Sequence, residues 1–268
     1  MTRIALGAWA SGLTTCLTSP LVRKTMLSRG VLDHPNHRSS HTDPVPRGGG
    51  VAALAGVLAS AIVTRPPSRR DIMAPLLLAG VGFADDHRGG LSPRTRLAAQ
   101  AVIGLTCGRS VVGRAETAAL VPAVVNVVNF MDGINGITAT TMAVWGFHVA
   151  TDDALPTESR WLGSVAAGAS MGFLPWNAPN ARLFLGDVGS YLFGGLAATA
   201  LTGVRSPTVL ARAGAPLLLY AADAAQALIS GKRTGAPLFE AHRRHVYQRL
   251  VDEHGFSHVQ VSLGHAAA

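Results

Sequence analysis

The stretch Asn126-Val127-Val128-Asn129-Phe130-Met131-Asp132-Gly133-Ile134-Asn135-Gly136 closes an apolar run and then turns polar. Two of its asparagines and its aspartate recur at a spacing of three, so Asn126, Asn129 and Asp132 lie near one face while the helix lasts. The glycines then end the helix, because glycine favours turns. Polar groups at the end of an apolar helix are costly to desolvate, which indicates a functional site. A helix stop between two apolar segments is the structural alternative.

The composition of the 268-residue chain is unusual for a soluble domain. Hydrophobic residues make up 48% and charged residues only 14%, whereas about a quarter of a soluble domain is charged. The charges are clustered and leave long apolar gaps, which predicts an all-α integral membrane protein. Because alanine and glycine supply much of the apolar count, an alanine-rich soluble helical protein is the alternative.

The apolar segments predict a polytopic helical bundle with about 8–10 transmembrane segments and cytoplasmic catalytic loops. If all the segments cross the membrane, the loops on one side contain 14 of the 23 Lys and Arg residues. The positive-inside rule makes that side cytoplasmic. The segments lie at about 4–22, 49–64, 72–84, 97–112, 115–129, 134–150, 161–176, 188–204 and 209–229.

The formal net charge of +8 fits basic loops that face anionic lipid, so membrane lipid is an expected partner. The sequence has no zinc-finger spacing and no interleaving of aromatic and basic residues, so nucleic acid is not expected. Cys16 and Cys107 lie in apolar segments and are expected to pack there without forming a disulfide.

The first predicted cytoplasmic loop contains His41 and ends in the turn Pro46-Arg47-Gly48-Gly49-Gly50. Glycine lets backbone approach a ligand closely, and Arg47 can pair with a phosphate. A solvated basic loop beside lipid headgroups is the alternative.

Two adjacent carboxylates, Asp85 and Asp86, close the next apolar segment. Side by side, they resist double ionisation unless a cation is near. They can hold Mg²⁺, or one of them can accept a proton. A charge pair at the membrane edge is the alternative.

Asp187 lies between two glycines, immediately before another apolar segment. A carboxylate near a helix N-terminus is well placed electrostatically, and it is a good ligand for Mg²⁺. A simple helix cap is the alternative.

The segment Glu240–Leu250 contains His242 and His245, which share a face if the segment is helical. With the neighbouring arginines, the histidines suit a pyrophosphate better than Zn²⁺, because a third close ligand is not evident. A surface amphipathic helix is the alternative.

Together, these five motifs on one predicted face resemble the polyprenyl-phosphate N-acetylhexosamine-1-phosphate transferase family, glycosyltransferase family 4. The resemblance runs from about Leu32 to His258. The Arg-Ser-Ser-His and Pro-Arg-Gly-Gly-Gly loop and the His-Arg-x-His-x-Tyr-Gln-Arg-Leu segment look closest to the O-antigen branch. They look less like the branch that uses the muramoyl-pentapeptide.

The resemblance implies transfer of a sugar 1-phosphate from a UDP-N-acetylhexosamine to undecaprenyl phosphate, with release of UMP. It implies Mg²⁺ as cofactor, with Mn²⁺ as the alternative ion, and a multi-pass protein of the bacterial inner membrane whose site faces the cytoplasm. It also allows a homodimer, since relatives can be dimeric.

The resemblance assigns roles only to positions that match the family's motifs. Asp187 looks like the main Mg²⁺ ligand, and Asn129 is the next candidate through its amide oxygen. Asp85 and Asp86 match an aspartate pair associated with the polyprenyl phosphate and with proton removal. The remaining candidates are Asp132 near the nucleotide, Asn126 as a substrate-binding residue, His242, Arg243 and His245 at the phosphates, and His41 and Arg47 as further phosphate contacts.

Two departures from the family pattern keep other hypotheses open. Asn135 stands where many relatives have a second aspartate, and the chain stops at Ala268, where relatives usually continue into a final membrane helix. We therefore expect one domain over residues 1–268 with its final helix missing or truncated. A degenerate paralogue that binds polyprenyl phosphate or UDP-sugar without turnover is the alternative. An unrelated transporter predicts polar residues near the bilayer midplane, whereas here they collect at segment ends.

Overall fold

The computed structural model describes residues 2–35, 43–87, 90–107, 111–233 and 245–267. Within these ranges, the prediction of an all-α bundle is confirmed, and the only sheet is an antiparallel pair of two-residue strands. The strands are β1 (Leu32–Asp33) and β2 (Val45–Pro46). The helices are α1 (Arg3–Ser28), α2 (Gly50–Thr64), α3 (Arg69–His87), α4 (Pro93–Cys107), α5 (Val111–Met131), α6 (Ile137–Thr151), α7 (Thr157–Asn177), α8 (Gly186–Thr202), α9 (Pro207–Gly214), α10 (Leu218–Arg233), α11 (Val246–Asp252) and α12 (His258–Ala267).

The helices follow the predicted apolar segments, with one division. The segment expected at 209–229 consists of α9, a 3₁₀ turn at Ala215–Leu217 and α10. Pro216 lies in that turn, and proline interrupts a helix because it lacks an N–H and its ring clashes with the preceding turn. Among the helices of the described ranges, none combines the length and the apolar character needed to cross a membrane.

The centre of the bundle is formed by α7 and α8, which are buried along most of their length. Small residues let α1 approach α7 closely, because its buried positions, among them Gly7, Ser11, Thr15 and Ser19, recur every four residues. A Cβ added at Gly172 would lie 2.2 Å from the carbonyl oxygen of Gly12, so this crossing requires glycine.

The loop before α2 is joined to the loop before α8 by backbone hydrogen bonds. The N–H groups of Gly48 and Gly49 donate to the carbonyl oxygen of Phe184 at 3.1 and 2.8 Å, and that of Gly50 donates to Leu185 at 2.8 Å. This junction places Arg47, from the first polar motif, beside the start of α8.

Close packing also brings the end of α3 to the start of α8. A Cβ added at Gly82 would lie 2.2 Å from the backbone oxygen of Asp187. Farther along α8, an added Cβ at Gly194 would lie 2.7 Å from Cα of Val125 on α5. Glycines therefore let α8 fit between α3 and α5, which carry the other polar motifs.

A separate apolar cluster joins the last helices to the loop after α5. It includes Met131, Tyr220, Tyr247 and Val261, all of them buried. Helices α10, α11 and α12 thus pack around the residues that follow α5.

Candidate functional site

Two carboxylates from different helices meet at the start of α8. Asp86 lies in the last turn of α3 and Asp187 in the first turn of α8. The backbone N–H of Val188 donates to Oδ2 of Asp86 at 3.1 Å. Gly186 has a φ of +72°, and a Cβ there would lie 2.9 Å from that same oxygen. The close approach of the two carboxylates therefore depends on this glycine.

Asn129, in the last turn of α5, holds Asp187 from the other side. Its amide nitrogen donates to Oδ1 of Asp187 at 2.8 Å and to the hydroxyl of Ser190 at 2.9 Å. Both amide hydrogens are used in these bonds, which leaves the amide oxygen of Asn129 for another partner.

Arg47 supplies a positive charge at the edge of this cluster. Its Nε lies 3.5 Å from Oδ1 of Asp86, and its Nη2 donates to the backbone oxygen of Asp86 at 3.3 Å. The Arg47 side chain is 40% exposed, so it can also reach a ligand. Among the described residues, none donates a hydrogen bond to the buried Oδ1 of Asp86.

Asp85 points to a different set of partners, although it is adjacent to Asp86. Arg96 on α4 lies 3.4 Å from its Oδ2, the hydroxyl of Tyr191 donates to the same oxygen at 3.3 Å, and the N–H of Leu91 donates to Oδ1. The carboxylate of Asp85 is thus buried with its acceptors occupied, whereas that of Asp86 retains capacity for a cation.

The electrostatics of the cluster favour a bound cation. Asp187 precedes the predicted apolar segment 188–204. Its burial, together with the charge of Asp86, raises its pKa to about 7, although the hydrogen bond from Asn129 acts in the opposite direction. Two such carboxylates resist simultaneous ionisation unless a cation is near.

The donor set suits a hard divalent cation that substrate oxygens help to coordinate. The described residues contain no group of three or more His, Cys, Asp or Glu side chains placed to hold a metal by themselves. Mg²⁺, however, is commonly bound by one or two carboxylates together with substrate phosphates. Asp86, Asp187 and the amide oxygen of Asn129 fit that pattern.

Asp132 follows α5 and lies between the carboxylate cluster and the last helices. Burial raises its pKa to about 6, a hydrogen bond with Thr138 opposes that shift, and the charge of Asp86 adds to it. The electrostatic influence of Asp86 on Asp132 means that the second half of the opening motif faces the same polar region.

Asn126 does not join the carboxylate cluster. Its amide nitrogen donates to Oε1 of Gln100 at 2.6 Å and to the carbonyl of Pro122 at 2.7 Å. Residues three apart on an α-helix point about 60° apart, because three residues turn the helix by about 300°. This offset turns Asn126 towards α4 while Asn129 reaches Asp187.

Beside Asn126 lies a mostly apolar cavity of about 310 Å³ between α4, α5 and α10. Arg96 lines this cavity and also pairs with Asp85. The cavity therefore has a cation at the end nearest the carboxylates. Its other lining residues include Leu97, Phe130 and Leu228.

The structure also places His245, which is buried immediately before α11. Its Nδ1 lies 3.0 Å from Oδ1 of Asp223 on α10. Next to it, Tyr247 donates from its hydroxyl to the carbonyl of Phe130 at 3.3 Å. His245 thus belongs to a polar group next to the loop that contains Asp132.

Comparison with known proteins connects this geometry to a family. Residues 111–204 match the model of glycosyl transferase family 4. Three similar relatives cover nearly the whole chain. The decaprenyl-phosphate N-acetylglucosaminephosphotransferase of Mycobacterium tuberculosis is 29% identical over 96% of this chain and 78% of its own length.

Over residues 111–204 the chain is similar to glycosyl transferase family 4. The probable undecaprenyl-phosphate N-acetylglucosaminyl 1-phosphate transferase of Bacillus subtilis is 26% identical over 96% of the chain and 80% of its own length. The phospho-N-acetylmuramoyl-pentapeptide-transferase of Symbiobacterium thermophilum is 29% identical over 90% of the chain and 84% of its own length.

The region that matches the family model contains Asn129, Asp132 and Asp187 but not the aspartate pair or His245. The structure brings Asp86 to Asp187 from outside that region. The predicted site residues His41, His242 and Arg243 lie outside the described residues.

Asn135, the departure from the family motif, has a structural role in this chain. Its backbone N–H donates to Nδ1 of His258 at 3.1 Å, and its side-chain nitrogen donates to the carbonyl of Pro179 at 3.0 Å. The residue thus ties the loop after α5 to the loop after α7 and to the start of α12.

Sequence patterns did not identify several polar side chains that the structure places at these sites. Of these, Asp223 could have been identified from the sequence, because it is a lone carboxylate within the apolar segment 209–229. The pairing of Arg96 with Asp85 depends on the packing of α4 against α3. Ser190 and Tyr191 carry no distinguishing signal within the apolar start of α8.

Proposed function

We propose that the protein is an enzyme that transfers a sugar 1-phosphate of the N-acetylhexosamine type from a UDP-sugar to undecaprenyl phosphate. The products are UMP and a lipid-linked pyrophosphoryl sugar for cell-envelope polysaccharide synthesis. The observation that carries the proposal is the meeting of Asp86 and Asp187, from helices far apart in sequence, beside Arg47 and Asn129. The names of the relatives from Mycobacterium tuberculosis and Bacillus subtilis support it.

The reaction joins two anions. An oxygen of the lipid phosphate forms a bond to the phosphorus that carries the sugar. The bond from that phosphorus to the oxygen bridging the two phosphates breaks, and UMP leaves with the electron pair. Because the second pKa of a phosphate monoester is about 6, the attacking phosphate needs little deprotonation near neutral pH. The main requirement is therefore charge compensation.

We assign Mg²⁺, with Mn²⁺ as the alternative ion, to the cluster around Asp187. Asp187 and Asp86 would supply carboxylate oxygens, and Asn129 its amide oxygen, since both hydrogens of its nitrogen are donated to other groups. A bound cation of this kind screens phosphate charge and stabilises charge on a transferring phosphoryl group. Asn129 also fixes the orientation of Asp187, and Gly186 allows the carboxylates to approach.

Two arginines contribute fixed positive charge on either side of the carboxylates. Arg47 is partly exposed next to Asp86 and is placed to contact a donor phosphate. Arg96 faces the cavity between α4, α5 and α10 and is held by Asp85. We propose that Arg96 binds the phosphate of the lipid and that the apolar cavity holds the start of its isoprenoid chain.

We place the protein in the bacterial inner membrane as a multi-pass protein whose site faces the cytoplasm. One substrate is a lipid and the other is cytosolic, so the site must lie at the inner membrane face. The excess of Lys and Arg in the loops on one predicted side supports this orientation.

The test uses membranes that contain the expressed chain, with undecaprenyl phosphate, Mg²⁺ and a panel of UDP-N-acetylhexosamines. UMP and butanol-extractable sugar are followed together, with Asp187→Ala as the control. Formation of both products from one donor, lost in the control, supports the proposal and identifies the sugar. Failure of every donor with folded protein contradicts it and favours a paralogue that only binds its ligands.

A further inference from the structure

A second polar group lies outside the carboxylate cluster, centred on Asp223 of α10. This residue is only 4% exposed. Its carboxylate lies 3.0 Å from Nδ1 of His245 and accepts the backbone N–H groups of Val246 and Tyr247, both at 3.0 Å. A buried carboxylate with this many donors holds the start of α11 and the ring of His245 at the same time.

The contact with Asp223 fixes the proton of His245. An ionised carboxylate only accepts hydrogen bonds, so Nδ1 of His245 carries a hydrogen and donates it. The other ring nitrogen, Nε2, is then the atom available for a substrate. Hydrogen bonding at one ring nitrogen is the usual way in which a protein sets the tautomer of a functional histidine.

A second histidine lies close to Asp223. Nδ1 of His265 lies 3.1 Å from the carbonyl oxygen of Val261, and its Nε2 lies 3.6 Å from Oδ2 of Asp223. Asp223 is therefore placed between two imidazole rings, one immediately before α11 and one on α12.

The position of α11 connects this group to the candidate active site. A Cβ added at Gly133 would lie 2.1 Å from the hydroxyl oxygen of Tyr247, so α11 packs directly on the loop after Asp132. Any rotation of α11 about its start would move both His245 and this contact.

We infer that Asp223 is a positioning residue for transfer, which holds His245 through its Nδ1–H. The Nε2 atom then faces the substrate phosphates and donates to them when the ring is an imidazolium. The inference rests on the proposed function, in which His245 contacts the phosphates. The backbone N–H groups of Val246 and Tyr247 use both carboxylate oxygens, so Asp223 also caps the start of α11. Its effect on His245 must therefore be measured separately from its effect on folding.

The kinetic test compares Asp223→Asn, His245→Gln and the double variant, with Glu253→Gln as the matched control. Glu253 pairs with Arg249 on the exposed side of α11 and does not touch His245. Because asparagine keeps one of the two acceptor oxygens, it retains one of the bonds from Val246 and Tyr247. We therefore expect Asp223→Asn to stay folded, with a melting temperature only a few degrees below that of the wild type. We expect its kcat to fall about tenfold to a hundredfold, as for other groups that orient a functional histidine.

The double variant shows whether Asp223 affects kcat through His245 or independently of it. If Asp223 acts through His245, Asp223→Asn lowers kcat by less than about twofold in the His245→Gln background. An equal loss in both backgrounds, or a wild-type kcat in Asp223→Asn, overturns the inference.

A spectroscopic measurement separates this inference from the proposed function, because it requires no turnover. ¹⁵N NMR of histidine-labelled protein, with His245→Gln to assign the resonance, reports which ring nitrogen carries the hydrogen. The inference predicts a protonated Nδ1 and an unprotonated Nε2 on neutral His245. The opposite tautomer overturns it, whether or not any donor is turned over. Absence of turnover with the predicted tautomer counts against the transferase and leaves the pairing standing.

Discussion

The backbone N–H of Val188 donates to Oδ2 of Asp86 at 3.1 Å, although the two residues are 102 positions apart in the chain. This bond joins the end of α3 to the first turn of α8, and it brings the carboxylates of Asp86 and Asp187 to one place. Burying two like charges together is unfavourable without a cation. The carboxylates of Asp86 and Asp187 are therefore expected to bind a metal ion together with phosphate oxygens of the substrate.

The contact between α3 and α8 can be tested by adding one methyl group. Gly82→Ala would place a Cβ 2.2 Å from the backbone oxygen of Asp187, whereas Gly80→Ala on the same helix meets no heavy atom within 4 Å. We expect Gly82→Ala to cost about 1–3 kcal/mol of unfolding free energy through overpacking and to abolish transfer. Gly80→Ala should be neutral or stabilising, because alanine is the better helix former. Thermal unfolding and UMP release measure the pair, and equal behaviour of the two variants would contradict the packing account.

The raised pKa of Asp187 predicts how the stability of the metal-free protein depends on pH. A carboxyl pKa raised from 3.8 to about 7 means that the folded state binds more protons than the unfolded chain between those values. Its contribution to stability is fully present below the ordinary pKa and is lost as the pH rises towards 7. The loss approaches about 4 kcal/mol at most.

Thermal unfolding of the chelated protein in detergent, from pH 4 to 8, checks this prediction. Asp132 titrates in part of the same window, because its pKa is raised to about 6, so the comparison with Asp187→Asn is essential. The variant should lose less stability than the wild type as the pH rises. The same slope in both proteins would show that Asp187 does not titrate as described.

Substitutions of Asn126 and Asn129 are expected to have different effects on stability and on kcat. Asn126 ties α5 to Gln100 on α4, whereas Asn129 orients Asp187. Asn126→Ala should lower stability by about 1–3 kcal/mol, because it leaves a buried amide partner unpaired, with kcat within a few-fold of wild type. Asn129→Ala should lower kcat by about a hundredfold or more, as when a preorganised polar group is removed from a reaction centre. Steady-state kinetics and melting curves distinguish them, and a larger kcat loss in Asn126→Ala would reverse the assignment.

The cavity between α4, α5 and α10 predicts a substitution that affects one substrate only. Ala225 lines this cavity, while Ile229 on the same helix is exposed and lines neither this cavity nor the one next to α11 and α12. Ala225→Phe should raise the KM for undecaprenyl phosphate about tenfold or more by filling apolar space, and leave the KM for the UDP-sugar unchanged. Ile229→Phe is the control. A rise in the UDP-sugar KM instead would assign the cavity to the donor.

Sequence reasoning identified the polar residues that meet because each stands at the end of an apolar segment, as Asp86, Asn129 and Asp187 do. It also found the all-α architecture, since clustered charges and long apolar gaps leave few alternatives. The sequence predicted Asn126, Asn129 and Asp132 near one face, whereas the amide of Asn126 is turned towards Gln100 on α4. The role of Asn126 in substrate binding stays a prediction.

Other contacts are hidden from local patterns because they depend on how distant helices pack. The pairing of Arg96 with Asp85 requires α4 to cross α3, and the capture of His245 by Asp223 requires α11 to return to α10. The interruption of the helix at Pro216 can be predicted from the sequence, because proline disrupts a helix. A lone buried carboxylate such as Asp223 is the kind of signal that identifies such partners in advance.

The most direct test of the account is the dependence of transfer on divalent cation in the wild type, Asp86→Asn and Asp187→Asn. UMP and lipid-linked sugar are measured as Mg²⁺ is added back to chelated protein. The account predicts no transfer without cation, saturable recovery in the wild type, and a loss of about a hundredfold or more in each variant at saturating Mg²⁺. Transfer by the chelated wild type, or a wild-type rate in Asp187→Asn, would contradict the claim that these carboxylates form the reaction centre.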